Sequence, residues 1–172
     1  CNDCPMQRNS GPPDVPGVGA LDEIINGILT ASRVLVGVSA RSLADIGVTP
    51  AQFRTLVVLS SRGNSRMVEL AERLGVGPST ALRSVDRLES AGLVERTPAE
   101  RDRREVVVGL TGEGRELVAQ VTGRRREAIE AIVTAMPERH RQELLDALGA
   151  FAAFAAAAEE PPVVDYPSEL GW

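Results

Sequence analysis

Two short amphipathic segments hinge at Gly75-Val76-Gly77-Pro78, and an arginine-rich tip between two strand-like runs follows at once. No other feature restricts the fold of this chain as much. The stretch Met67–Thr111 reads MVELAERLGVGPSTALRSVDRLESAGLVERTPAERDRREVVVGLT. Leu70 and Leu74 lie four apart with Ala71 beside them, so Met67–Leu74 presents one small apolar face at helical spacing. Gly75 suits a helix end, because it accepts positive φ without steric cost. Val76 is expected to be buried in the turn. Pro78 suits the first position of the next helix, where its missing N–H costs nothing. A short Gly-containing turn between two short helices is the helix-turn-helix pattern.

The second helix is predicted over Pro78–Ala91, with Gly92 as its stop. Leu82, Val85 and Leu88, joined by Ala81, are assigned to the buried face. Ser79, Thr80, Arg83, Asp86, Arg87 and Ser90 are assigned to the opposite face. Short hydroxyl side chains near the N-terminus and arginines further on suit a helix end in a DNA major groove. Taken alone, such a face is as readily a solvated surface.

Leu93–Thr97 and the Val-rich Glu105–Leu110 read as two strands. Between them, PAERDRR holds Arg101, Arg103 and Arg104 within four residues. Two short strands with a basic tip after a helix of this kind make a wing. Arginine is the side chain that lodges in a narrow minor groove, where the potential is most negative. Asp102 does not fit a pure phosphate grip. Its expected role is structural, pairing bidentately with a neighbouring Arg to shape the tip.

From Leu70 to Thr111 the chain resembles the multiple-antibiotic-resistance regulator (MarR) family of bacterial repressors. The resemblance rests on Val85-Asp86-Arg87-Leu88-Glu89, on Gly92-Leu93-Val94, and on Asp102-Arg103-Arg104 before a Val-rich strand. In layout it extends over about Leu21–Ala158. It implies a homodimer with one winged domain per half-site and a helical dimerisation region built from both chain ends. It also implies, in many members, a small aromatic or phenolic effector bound between the two regions, or oxidant sensing by a cysteine. Gly77 stands where Ser or Thr often caps the recognition helix. Glycine is an acceptable cap, weaker by a few tenths of a kcal/mol. Ala99-Glu100 stands where an acidic residue and Pro are common. No Cys occurs between Asn9 and Trp172, so a reactive Cys in the first helix is excluded.

Net charge is −5, which argues at first against a nucleic-acid partner. Its distribution reverses that argument. Residues 54–104 hold ten Arg against seven acids, a net of +3, while residues 1–53 sum to −2 and residues 105–172 to −6. Basic charge is thus concentrated in the proposed DNA-binding stretch. All 19 basic residues are Arg, and aromatics make up 3%, so the core must come from Leu, Val, Ile and Ala.

Residues 1–19 are expected to be an irregular arm rich in Pro, Gly, Asn and Asp. Cys1 and Cys4 form a C-x-x-C pair, read either as a redox switch or half a thiolate metal site, or as two incidental thiols in a tail. Residues 20–48 are read as an N-terminal dimerisation helix, about Leu21–Ile46. Its apolar stripe of Leu21, Ile24, Ile25, Ile28, Leu29, Leu35 and Val38 exceeds what one small winged domain can cover. Residues 49–111 form the winged helix-turn-helix region. Thr49-Pro50-Ala51-Gln52 has the pattern of a capping box, followed by inward Phe53, Leu56, Val57 and Leu59, and a turn over Arg62–Ser65. Residues 112–158 hold two dimerisation helices, the first capped by Thr111 and the second opening at Pro137. Arg124-Arg125-Arg126 is read as a solvated face and His140 as an exposed polar residue. Residues 159–172 are a tail.

The expected fold is therefore mainly α: a winged helix-turn-helix with a two-stranded wing, plus a helical dimerisation region. The expected function is sequence-specific binding of double-stranded DNA, at a palindromic operator, by a ligand-responsive homodimeric repressor. The expected DNA contacts are Ser79, Thr80, Arg83 and Arg87 from the helix and Arg101, Arg103 and Arg104 from the wing. The effector-binding residues are not legible. The alternatives are a winged protein-interaction module that does not read DNA, and a sensor tuned through Cys1 and Cys4. No nucleophile–base pair, phosphate loop or metal motif is present, so no enzyme, cofactor or metal is expected. No uninterrupted run of eighteen apolar residues occurs, so no membrane partner is expected, and the location is expected to be cytoplasmic.

Overall fold

The structure, a computed structural model, describes residues 18–99 and 105–157. Six helices and three short strands occur among them: α1 (Val18–Ser42), α2 (Pro50–Arg62), β1 (Ser65–Arg66), α3 (Met67–Leu74), α4 (Pro78–Ser90), β2 (Val94–Pro98), β3 (Val106–Leu110), α5 (Gly112–Thr134) and α6 (Glu138–Ala157). The chain divides into two units, Cys1–Gly37 and Val38–Trp172.

The described part of the first unit is the α1 stretch Val18–Gly37. Leu21, Ile24, Ile25, Ile28 and Leu29 recur at helical spacing along it and are all exposed. By length and composition, Gly19–Ser42 is long and apolar enough to cross a membrane, a property that polar interruptions hid from a search for one apolar run. The helix ends at Ser42 and not near Ile46 as expected. Asp45 takes φ +65° and Gly47 φ +75°, and left-handed residues cannot extend a right-handed helix.

In the second unit, α2 is the centre of the core. Thr49 caps it as a full capping box: its hydroxyl accepts from the Gln52 N–H at 3.2 Å, and the Gln52 side chain accepts from the Thr49 N–H at 2.8 Å. Phe53, Leu56 and Val57 are fully buried, and so are Thr55, Val58 and Leu59. Around α2 pack Leu70 and Leu74 of α3, Val85 and Leu88 of α4, Val94 and Val108 of the sheet, and Val118 and Val121 of α5.

The two strands expected of the wing are present as β2 and β3, and β1 adds a third, giving an antiparallel sheet in the order β1-β3-β2. Ser65, expected in a turn, and its neighbour Arg66 pair with Val108 and Val107. Two residues are too few to show the alternation that marks a strand, so this pairing depends on β3 having a free edge. Val94 pairs with Leu110 and Pro98 with Val106 in the β2–β3 ladder.

Thr111 caps α5 by accepting from the Gly114 N–H at 3.0 Å, and its hydroxyl donates to the Gly92 carbonyl at 2.7 Å. One hydroxyl therefore joins the end of the recognition-helix turn to the start of α5. Along α5, Val118 and Val121 are buried, Leu117 is half-buried and Ile132 is exposed. Arg124 and Arg126 are solvated as expected, whereas Arg125 is half-buried, which lowers its pKa from the usual guanidinium value. Helix α6 has no buried residue, and Leu144, Leu145, Leu148, Phe151 and Phe154 are exposed. His140 is half-buried, not exposed as expected, and its Nε2 accepts from Arg139 Nε at 3.2 Å.

Candidate nucleic-acid interface

The turn between α3 and α4 is built as its residues dictate. Gly75 takes left-handed φ 65°, ψ 33°, and the Val76 N–H returns to the Ala71 carbonyl at 3.1 Å. Gly77 is the extended N-cap of α4 with no side-chain cap bond, and Pro78 occupies the first turn. The Gly77 carbonyl accepts from Thr80 N–H at 2.9 Å and Ala81 N–H at 3.1 Å. Val76 is exposed, contrary to expectation. It lines a cleft of about 320 Å³ between α2 and α4, whose wall includes Arg54, Thr80 and Ser84.

Ala81, Val85 and Leu88 form the buried seam of α4 and are fully inaccessible. Leu82 does not join them and is 47% exposed. The seam occupies i, i+4 and i+7, and a residue one step along is rotated by about 100° out of it. On the side away from the seam, Ser79, Thr80, Arg83 and Arg87 are all exposed, as the sequence pattern requires. Arg83 Nε donates to the Ser79 carbonyl at 3.2 Å, holding that guanidinium along the helix surface.

Three polar contacts fix the helix and wing within this unit. Ser84 and Thr55 share a hydrogen bond of 3.1 Å across the α2–α4 contact. Arg96 on β2 pairs with both Asp86, at 2.5 Å, and Glu89 of α4. Arg66 joins the start of α3 to the tip end of the wing strands, pairing with Glu69 at 2.5 Å and Glu105 at 3.4 Å. The Arg66 side-chain hydrogen bond holds the Glu69 carboxyl below its ordinary pKa. None of these three contacts was read from the sequence. Each joins residues from different elements or depends on where β2 lies, and helical or strand periodicity carries no such information.

The strands of the wing are closed near the tip by the Ala99 N–H, which donates to the Glu105 carbonyl at 2.8 Å. Arg101, Asp102, Arg103 and Arg104 lie between these two residues and outside the described residues, as do Cys1 and Cys4.

Residues 46–105 match the family model described as the MarR family. Over 118 residues the chain is 36% identical to the HTH-type transcriptional repressor MdtR of Bacillus subtilis (strain 168), covering 69% of this chain and 74% of that protein. Among solved structures it is similar to RV1404 from Mycobacterium tuberculosis, with 44% identity, a TM-score of 0.74, and 83% and 97% of the two chains covered. It is also similar to the transcriptional regulator Tm0710 from Thermotoga maritima, with 30% identity, a TM-score of 0.66, and 84% and 99% covered.

Proposed function

This chain belongs to the MarR family of transcriptional regulators, and we propose that it acts as a homodimeric repressor whose two α4 helices enter successive major grooves of a palindromic operator. The observation that carries this reading is the two-sided character of α4. Ala81, Val85 and Leu88 are fully buried on one side, and Ser79, Thr80, Arg83 and Arg87 are exposed on the other. Ser79 and Thr80, in the first turn, contact base edges or phosphates, and Arg83 and Arg87 pair with guanine or with phosphate. Arg101, Arg103 and Arg104 reach the neighbouring minor groove, with Asp102 shaping the tip. The similarity to a protein named a repressor supports repression over activation.

The dimer is assigned to residues 20–48 and 112–158, leaving 49–111 to DNA. Two sets of exposed side chains support this: Leu21, Ile24, Ile25, Ile28 and Leu29 on α1, and Leu144, Leu145, Leu148, Phe151 and Phe154 on α6. Exposed apolar area of that extent is unfavourable in water, and a second copy of the chain covers it. A lipid environment suits α1 less well, because Asn26, Thr30, Ser32 and Arg33 interrupt it and its apolar residues form a stripe, not a full circumference. A small effector, often aromatic in this family, favours a dimer whose helices do not fit successive grooves and so releases the operator. We assign the chain no catalysis and no cofactor, and its place of action is the cytoplasm.

The test is a fluorescence-anisotropy titration of the duplex upstream of this protein's own gene against a shuffled duplex, at two salt concentrations. Tight, salt-sensitive binding to the native duplex alone is expected, because phosphate contacts release counterions. Equal binding to both duplexes would leave a non-specific or protein-interaction role. In the same assay, Arg104→Ala is expected to weaken operator binding by roughly tenfold, the loss of one minor-groove arginine. An unchanged affinity would remove Arg104 from the interface.

A further inference from the structure

We propose that Arg96 is a counter-charge residue for operator binding, offsetting two carboxylates of the recognition helix that would otherwise add negative charge beside the DNA backbone. The inference rests on the reading that α4 enters the major groove. Within Pro78–Ser90, Arg83 and Arg87 are balanced by Asp86 and Glu89, so the helix has no net charge of its own. Asp86 lies three residues from Arg83 and seven from Ser79, which puts it on the same side as both. Its side chain is 53% exposed, and that of Glu89 is 39% exposed. Left unpaired, Asp86 would repel phosphates at close range, and Glu89 on the flank of the helix would add to the negative potential there.

Arg96 answers both at once. It stands on β2 opposite Val108, so the sheet holds its backbone, and its side chain is only 26% exposed. One guanidinium nitrogen, Nη2, meets Asp86 Oδ1 at 2.5 Å, and the other, Nη1, meets Glu89 Oε2. The planar fork reaches two carboxylates three residues apart on α4, a task for which the point charge of Lys is less suited. The contact offsets both carboxylates of α4, so that Arg83 and Arg87 are no longer cancelled by acids of their own helix, and it ties β2 to α4.

The experiment compares the full-length wild type, R96Q, R96K and R96Q in a D86N/E89Q background, each titrated with the duplex that the wild type binds. R96Q is expected to bind about tenfold more weakly at low salt, with the deficit shrinking as salt screens the exposed carboxylates. R96K keeps the charge but not the two-pronged fork and is expected to fall between R96Q and wild type, whereas R96Q is expected within about threefold of wild type once Asp86 and Glu89 are neutralised. A purely structural role for Arg96 predicts no rescue by removing its partners. The inference falls if R96Q binds like the wild type, if R96K is as weak as R96Q, or if R96Q stays as weak in the neutralised background. If the wild type binds neither native nor shuffled duplex, the DNA-binding reading falls and takes this inference with it.

Discussion

Gly114→Ala is expected to destabilise the fold by about 3 kcal/mol, at the upper end of the overpacking range. Gly114 is buried in the first turn of α5. A Cβ built there falls on the Leu93 carbonyl oxygen, 3.1 Å from the Leu93 carbonyl carbon and 3.3 Å from Leu110 Cδ2. Backbone, not a flexible side chain, blocks the site, and that backbone cannot move freely. The Leu93 N–H donates to the Leu88 carbonyl at 2.9 Å, and the Leu93 carbonyl accepts from the Thr111 N–H at 3.2 Å. Yielding to a methyl group would therefore strain the end of α4 and the cap of α5 together. For a chain of this size the melting temperature should fall by roughly 6–12 °C, at about 2–4 °C per kcal/mol.

Gly123→Ala in the same helix serves as the control. Nothing lies within 4 Å of a Cβ at Gly123, so relief of the glycine entropy cost should stabilise by up to about 1 kcal/mol. Opposite signs in two thermal melts would establish that close approach, and not helix propensity, keeps Gly114. Equal shifts would refute the packing argument.

The double substitution Arg83→Ala/Arg87→Ala should reduce operator affinity by roughly 100-fold or more, since each arginine–guanine pair contributes about 1–3 kcal/mol. The two lie one turn apart on the exposed side of α4, so their losses will not sum simply. Stability should change little, because neither side chain contributes to the buried seam of Ala81, Val85 and Leu88. Discrimination between native and shuffled duplex is the informative readout. Loss of discrimination identifies these arginines as readers of sequence. Uniform weakening with discrimination intact reassigns them to phosphate, and no change in either quantity would move the reading surface elsewhere on the molecule.

Wherever a structural cause lies within a few residues, it was legible in the amino-acid order. Thr49 and Gln52 form a capping box because both partners lie within one turn. Gly75 takes a left-handed conformation and Gly77-Pro78 opens α4 for reasons internal to that turn. The exposed placement of Ser79, Thr80, Arg83 and Arg87 follows from helical periodicity alone. The resemblance carried by Val85–Glu89 and Gly92–Val94 pointed to the family that the comparisons establish.

Contacts between elements were not legible, because no local period encodes them. Leu82 looks like a core residue in a hydrophobicity pattern, yet the seam is set by where α2 and α3 meet α4, and it passes one residue to the side. Val76 borders a cleft for the same reason. Ser65 and Arg66 become a strand only because β3 offers them an edge. Arg96 looks like one more cation in an Arg-rich segment until the β2–β3 register brings it against Asp86 and Glu89. By itself, then, the sequence determined the helix-turn-helix, its caps and the side of α4 turned outward, since backbone preference and periodicity act within a few residues. Tertiary structure alone decided which charges are neutralised, which apolar residues stay outside and which glycine is irreplaceable, since each depends on atoms brought together from distant parts of the chain.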